Sequence, residues 1–548
     1  MDEKNSSELC LYNSVLLNPD CTTYQNGGVL VRGDRILLVS TSEKVIEESS
    51  KGATKIDLNG AFLIPGFHDS HLHPVIGGID LTECSLYNLD CSEKYLEKLF
   101  EYSLEKPELS VIKGSGWIYG AFSNLGPRKE FLDKISFEKP IFLKAADGHS
   151  AWVNSRALDI AGINRHTADP VGGKIERDPE TGDPTGTLRE WPAMNLVKDQ
   201  FPSESREERA LAVRAFQREA ARCGITSIHD AQCKPKFMDV YSELENNGEL
   251  TLRVNASFGV YQREGKEALN VVKARRDQCK HRLIRGNCAK LFIDGVIDGR
   301  TAFLSEPYNN SDNRSRGICQ WDWAPLKEMV FSLDREGFQL HFHAVGDAGI
   351  SMAIDAIEHA IINNPDRERR HQIVHLDCLA EKDLFRMAKL GIVANVQPAW
   401  FCRDSNFEKD ILTALGSERA FSLYRFRDLK NAGVKVACSS DWPFGGDSVS
   451  LNPLVAIQTG ITRQPPGKIN CISYLPGQAA SLAEMLEGFT EGSAFIDFQE
   501  NITGSIFPGK KADLVALNRN PFLENPFEIA KIKVILTVFD GKILFREI

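Results

Sequence analysis

No stretch of this chain is apolar for the roughly 20 residues that a membrane-spanning helix needs, so a bilayer is not an expected partner. There is no long basic run either, and the formal net charge is -10. Nucleic acid is therefore not an expected partner. The excess acid is spread along the chain and aids solubility. The first ten residues, Met1 to Cys10, are acidic and polar. They lack the basic-then-apolar pattern of a secretory signal. The 13 cysteines are scattered and odd in number, and none forms a C-x-x-C pair. That argues against a structural zinc knuckle or a disulfide framework. The expectation is reduced, mostly buried thiols in a cytoplasmic protein. No internal repeat and no low-complexity tract is present.

What is there fits an ordinary globular protein. Of 548 residues, 42% are hydrophobic and 26% charged, enough for a sizeable core. At roughly 100–200 residues per domain the length allows two to four units, and large barrels run longer as single domains. Both ends of the chain read as short strands between turns. The N-terminal ones are Leu11–Leu17, Gly28–Val31, Arg35–Val39 and Lys55–Leu63, and the C-terminal ones are Ala512–Leu517, Ile532–Phe539 and Lys542–Phe545.

The middle alternates apolar runs with helical stretches. Eight strands are predicted: Ala61–His73, Ile225–Ala231, Leu252–Phe258, Cys288–Asp294, Phe338–Val345, His371–Leu376, Ile392–Gln397 and Val434–Asp441. Runs that are apolar almost throughout suit parallel strands buried on both faces. Helical segments such as Glu207–Cys223, Pro325–Glu336, Ile350–Ile362 and Glu381–Leu390 lie between them. The predicted fold class is α/β, a (β/α)8 TIM barrel. The gap between the first two strands is too long for one helix, so residues from about 80 to 205 form an insertion over the barrel mouth.

Functional residues of such a barrel sit at the C-terminal strand ends. The first strand ends in Asp69-Ser70-His71-Leu72-His73. Histidines two apart on a strand point to the same side and can reach one metal, although an isolated pair is as readily incidental. The fourth carries Lys290, which inside a buried strand has its pKa pulled toward neutrality; a neutral amine there can add carbon dioxide to give a bridging carbamate. The alternative is a lysine reaching solvent at a strand edge. The fifth gives His341-Phe342-His343, the sixth His371 to His375, and the eighth ends in Ser440-Asp441-Trp442-Pro443. Imidazole and carboxylate are the ligands of catalytic zinc. Any one of these residues can be structural, and the set on its particular strands is what carries the argument. His341, in the same strand parity as His343 but one layer deeper, is expected to be structural. His68 and His229 also lie near strand ends. His166, His281 and His359 are expected at the surface.

This constellation resembles the amidohydrolase superfamily over almost the whole chain, and the subgroup that includes the N-substituted formamide deformylases in particular. The phrases that carry the likeness are Pro65-Gly66-Phe67 before Asp69-Ser70-His71-Leu72-His73, Asp147-Gly148-His149-Ser150-Ala151-Trp152, Gly186-Thr187-Leu188-Arg189-Glu190, and Lys290 to Asp294-Gly295. His343-Ala344-Val345-Gly346-Asp347, Ser440-Asp441-Trp442-Pro443, Ile461-Thr462-Arg463 and Gly504-Ser505-Ile506 through Ala512-Asp513-Leu514 follow in order. The resemblance implies that His71, His73, His343, His375 and Asp441 bind metal and that Lys290 is carboxylated and bridging. It implies a small β-sandwich built from residues 1–64 and 491–548 around a barrel of residues 65–490. It departs from the family at Val374, where relatives often have Glu, and at Ala348-Gly349, where a basic residue usually follows Asp347.

The implied function is hydrolysis of an amide, N-formyl or carbamate-like C–N bond in a small molecule. A bound cation, Zn2+ by default and one or two per chain, lowers the pKa of water and polarises the carbonyl; iron, manganese or cobalt can replace zinc. Asp441 is expected to take the water's proton and pass it to the leaving amine, with Lys290 as the second catalytic group. Substrate contacts are expected from His149, Trp152, Asp294 and Trp117. The aromatics equally suit the insertion's own core. The same barrel also supports deamination or lactone and ester hydrolysis, and a non-catalytic metal-binding regulator is a further alternative. A homodimer is the general prior.

Overall fold

The computed structural model describes residues 8–87, 89, 91–122, 126–279, 281–309, 314–404, 407–445, 450–468 and 471–547. Eight parallel strands form its centre: β1 (Phe67–Leu72), β2 (Ile225–Asp230), β3 (Arg253–Gly259), β4 (Ile284–Phe292), β5 (Gln339–Ala344), β6 (Gln372–His375), β7 (Val393–Val396) and β8 (Val436–Cys438). Each pairs with its sequence neighbour, in the order β8 to β1. The seam between β8 and β1 is closed by loop hydrogen bonds: Asp441 N donates to His71 O at 2.9 Å and His73 N to Trp442 O at 2.8 Å. All eight predicted strands are therefore present, as the strands of a nearly closed α/β barrel.

The helices that cover the barrel include α1 (Pro74–Asp80), α3 (Arg206–Arg222), α4 (Pro235–Asn246), α5 (Trp323–Arg335), α6 (Asp347–Asn363) and α7 (Glu381–Leu390), while α2 (Glu190–Lys198) packs on the sheet of the insertion. Their local chemistry is ordinary. At the start of α3, Ser205 accepts from Glu208 N while the Glu208 carboxylate accepts from Ser205 N, satisfying two otherwise orphaned donors. Buried Val213, Phe216 and Ala220 line its inner face. Among the described residues no helix is long and apolar enough to cross a membrane.

Strands from both ends of the chain share one sheet of eight. Phe62–Pro65 pairs in parallel with Glu8–Leu17 and antiparallel with Leu514–Leu517, Leu63 opposite Ala516. Leu11, Leu16, Leu63, Leu514 and Leu536 lie in the apolar core of that sheet.

Two predicted strands are divided. Lys55–Leu63 breaks at Asn59 and Gly60, whose φ angles of 47° and 79° turn the chain. Ala61–His73 breaks at Gly66. Its N–H goes to Asp513 O at 2.8 Å, and a Cβ there would lie 2.1 Å from Thr226 Oγ1. Only glycine allows that close approach, and there the chain passes from the terminal sheet into the barrel. The insertion between β1 and β2 carries its own six-stranded sheet, from Cys84–Ser85 to Pro184–Arg189.

Candidate active site

The C-terminal ends of β1, β5 and β6 and the loop after β8 bring the predicted histidines and Asp441 together. The period of two along β1 puts His71 and His73 on one side, with His73 starting α1. Both reach the same carboxylate oxygen: Asp441 Oδ1 is 3.2 Å from His71 Nε2 and 3.3 Å from His73 Nε2. Opposite them, His343 Nδ1 and His375 Nε2 are 2.9 Å apart, and the His71 and His375 ring centroids are 5.4 Å apart. His375 and Asp441 hold left-handed backbone, with φ of 78° and 56°. Such strained positions for non-glycine residues concentrate at functional sites.

The hydrogen bonds behind these rings fix which nitrogens face inward. His343 Nε2–H donates to the Gly295 carbonyl at 3.2 Å, and His375 Nδ1–H donates to Gln397 Oε1 at 2.9 Å. Each imidazole thus points a lone pair at the other, an arrangement that a cation between them satisfies. His73 Nδ1, Asp441 Oδ1 and Lys290 Nζ are buried with no hydrogen-bond partner among the described residues. Lys290 is fully buried. Burial pushes its ammonium down to about 7, with Asp441 opposing the fall. Burial, and after it Lys290 and neighbouring histidines, holds His71 well below its ordinary value; burial lowers His375 to about 4. Neutral imidazoles, a carboxylate and an amine at neutral pKa are the donor set a divalent metal fits.

Below this layer runs a string of buried polar groups. His71 Nδ1 meets His341 Nε2 at 2.7 Å, and His341 Nδ1 meets Ser257 Oγ at 2.9 Å. Ser257 Oγ meets His229 Nε2 at 2.7 Å, and His229 Nδ1 meets Asp497 Oδ1 at 2.7 Å. Asp497 also bonds His68 Nε2 and Asn255 Nδ2, each at 2.7 Å. Cys288 shares this floor, with its sulfur and one nitrogen each of His229 and His341 within 4.8 Å of one another. Both nitrogens of both imidazoles are already hydrogen-bonded, so the floor is a supporting network beneath His71. His341 lies in it, one layer down as its strand parity predicts.

A cleft of about 690 Å³, part of it open to solvent, lies above the histidines; His343, His375, Asp441 and His149 face it. His149 comes from the insertion. Its Nδ1 is 2.9 Å from Glu190 Oε2. Burial would lower the imidazole, but the Glu190 carboxylate outweighs it and raises the pKa to about 9. Gly148 packs against the Phe444 ring, where a Cβ would lie 2.3 Å from it, and this seats the insertion on the loop after β8.

Three expected substrate contacts are elsewhere. Trp117 and Trp152 are fully buried in the insertion's own core. Their indole N–H groups donate to the carbonyls of Leu143 and Arg128. Asp294 accepts from the backbone N–H of Phe303, Val345 and Gly346 at 2.8–3.0 Å, so it pins the loop after β5 and does not face the cleft. Residues that sequence reasoning missed line the cleft instead: Asp147, Asp377, Trp400 and Phe444. Trp400 stacks on His375 with rings 5.5 Å apart and 11° from parallel. Burial, and then Asp298, pushes Asp147 up to about 7 and Asp377 well above its usual range. The position of Asp377 two residues after His375, and of Asp147 two before His149, was the available signal.

A family model described as the amidohydrolase family matches residues 54–545. The chain is 30% identical over 550 residues to Protein LONG AFTER FAR-RED 3 of Arabidopsis thaliana, covering 98% of this chain and 92% of that one. It is 24% identical over 564 residues to the N-substituted formamide deformylase of Arthrobacter pascens, covering 98% of each. Among solved structures, a metal-dependent hydrolase of uncharacterised activity from Pyrococcus furiosus superposes with a TM-score of 0.71 at 24% identity, over 95% of this chain and all of that one. That last likeness speaks to the fold.

Proposed function

Because the chain belongs to the amidohydrolase family, we propose that it is a metal-dependent hydrolase of a C–N bond (amide, N-formyl or carbamate-like) in a small molecule. The observation that carries this reading is the convergence of His71, His73, His343, His375 and Asp441 at the mouth of the barrel with Lys290, whose Nζ has no hydrogen-bond partner among the described residues. These residues would hold a divalent cation, zinc by default, with Lys290 carboxylated. When bound, the cation supplies Lewis acidity to a carbonyl and to water.

The chain's own groups do the rest. Asp441 Oδ1 takes the proton of the attacking water and returns it to the departing nitrogen, without which an amide leaves very poorly. His149, kept protonated by Glu190, offers a charged N–H to a substrate oxygen in the cleft. Trp400 gives the substrate an apolar face, and the raised carboxyls of Asp147 and Asp377 offer it hydrogen-bonding groups at the rim of the cleft. The similarity to an enzyme named for deformylating N-substituted formamides points to the same bond.

The test is elemental analysis of protein purified without chelators, beside a hydrolysis screen of N-formyl, N-acyl and carbamate substrates. About two metal ions per chain, falling in Lys290→Ala, with turnover lost in Asp441→Asn, is the expected result. One metal indifferent to Lys290→Ala would move the reading to deamination. No metal after reconstitution would overturn it.

A further inference from the structure

A second cleft lies where the barrel meets the insertion. It spans about 540 Å³ counted together with the solvent at its mouth, and shares no lining residue with the histidine cleft. Five lysines converge on it: Lys113 and Lys144 from the inserted sheet, Lys198 from the end of α2, and Lys234 and Lys236 from the start of α4. Only three carboxylates line it with them, Asp80, Glu83 and Glu204. Lys144 pairs with Asp80, and Glu204 takes Lys236 at 3.2 Å and Lys113 at 3.9 Å.

Lys198 and Lys234 have no carboxylate within 4.0 Å among the described residues. Both lie over the Trp191 ring, with Nζ 5.2 and 5.7 Å from its centroid. Burial, and then Lys234 and Lys144, pushes the Lys198 ammonium down to about 7; burial and then Lys236 lower Lys234 as well. Burial raises the Glu83 carboxyl to about 7, which weakens the negative side further. Two half-buried ammonium groups that repel each other and lack a carboxylate partner are favoured by an anion between them. Ile76, Phe142, Phe201 and Phe237 give the cleft apolar lining as well, Phe237 lying under Lys234 and Lys236 with their Nζ atoms 5.8 and 6.0 Å from its ring centroid.

We propose that this cleft binds a small organic oxyanion, its phosphate or carboxylate held between Lys198 and Lys234 and a short apolar chain laid against Phe142, Phe201 and Phe237. This site is independent of the hydrolytic reading above.

Calorimetric titration of the metal-loaded protein with n-butyl phosphate, hexanoate and inorganic phosphate tests it. The expected result is saturable one-to-one binding of at least one tailed probe, weakened about tenfold or more in Lys198→Met/Lys234→Met. Metal content should be unchanged in that variant. Whichever tailed probe binds tighter identifies the head group. Phe201→Ala should weaken the tailed probes and leave any binding of inorganic phosphate as it was. No saturable binding of either tailed probe, or binding indifferent to the double lysine substitution, would overturn the proposal.

Discussion

At the scale of single residues, the site depends on neighbours that touch no substrate. Trp442 follows Asp441 in the chain, and its ring lies against Gly77 of α1 and stacks on Phe216 at 5.5 Å. On an open helix face Gly→Ala would stabilise by about 1 kcal/mol. Here the new Cβ would sit 2.1 Å from Trp442 Cζ3. Gly77→Ala should therefore destabilise by about 1–3 kcal/mol. By displacing Asp441 it should also lower kcat by roughly a hundredfold while metal content holds; elemental analysis beside steady-state kinetics checks this. Beneath the site, the buried His229–Asp497 pair sets a pH window. Burial opposes it, but Asp497 raises His229 from 6.5 to about 10, while His229 and His68 hold Asp497 well below 3.8. The pair's stabilisation is complete only between pH 3.8 and 6.5. It fades as pH rises from there toward about 10, where the imidazolium is lost, and it fades on acidification as the carboxylate protonates. Asp497→Asn leaves a buried imidazolium without its partner and should cost about 3–5 kcal/mol near pH 6. Denaturant midpoints measured from pH 4 to 10 should show that the alkaline limb flattens in the variant.

At the scale of elements, periodicity carried the most information. A parallel barrel strand is buried on both faces, so its apolar run is long and its ends are marked by polar residues; that is why β2 to β8 and the positions of His71, His343, His375 and Asp441 could be read directly. What periodicity cannot register is a change of partner. Gly66 lies inside an unbroken apolar run, yet it divides two sheets because Thr226 and Asp513 crowd it. Trp117 and Trp152 misled for a similar reason: an aromatic in an insertion has the same sequence signature whether it lines a cleft or fills the insertion's own core. Asp377 and Trp400 enter the cleft through loops, where no period fixes direction. The strand Leu514–Leu517 can be tested on the same logic. Ala516 pairs with Leu63 on one side and Leu536 on the other. Ala516→Pro removes a ladder donor from an interior strand and leaves a buried acceptor unpaired, at about 1–3 kcal/mol before any steric strain. Faster limited proteolysis at both chain ends, with the barrel fragment persisting longer, is the expected readout.

At the scale of the whole molecule, the barrel and the terminal sheet are joined by a buried charge cluster. Arg253 of β3 reaches Asp513 at 2.8 Å and Asp540 at 2.7 Å. Arg253→Met strands Asp513, which is 2% exposed, and should cost about 3–5 kcal/mol, read as a lower denaturation midpoint with the metal site intact at low temperature. The same joint has a consequence in time. Phe62-Leu63-Ile64-Pro65 leaves the ribosome early, but its partner Leu514–Leu517 and the Asp497 that terminates the string under His71 are made only after all eight barrel strands. At about 5–20 residues per second, the apolar edge next to β1 waits on the order of tens of seconds for its neighbour. The sheet beside the first barrel strand is thus finished among the last, and throughout that interval the nascent chain offers chaperones a strand of four buried-type residues with one edge open.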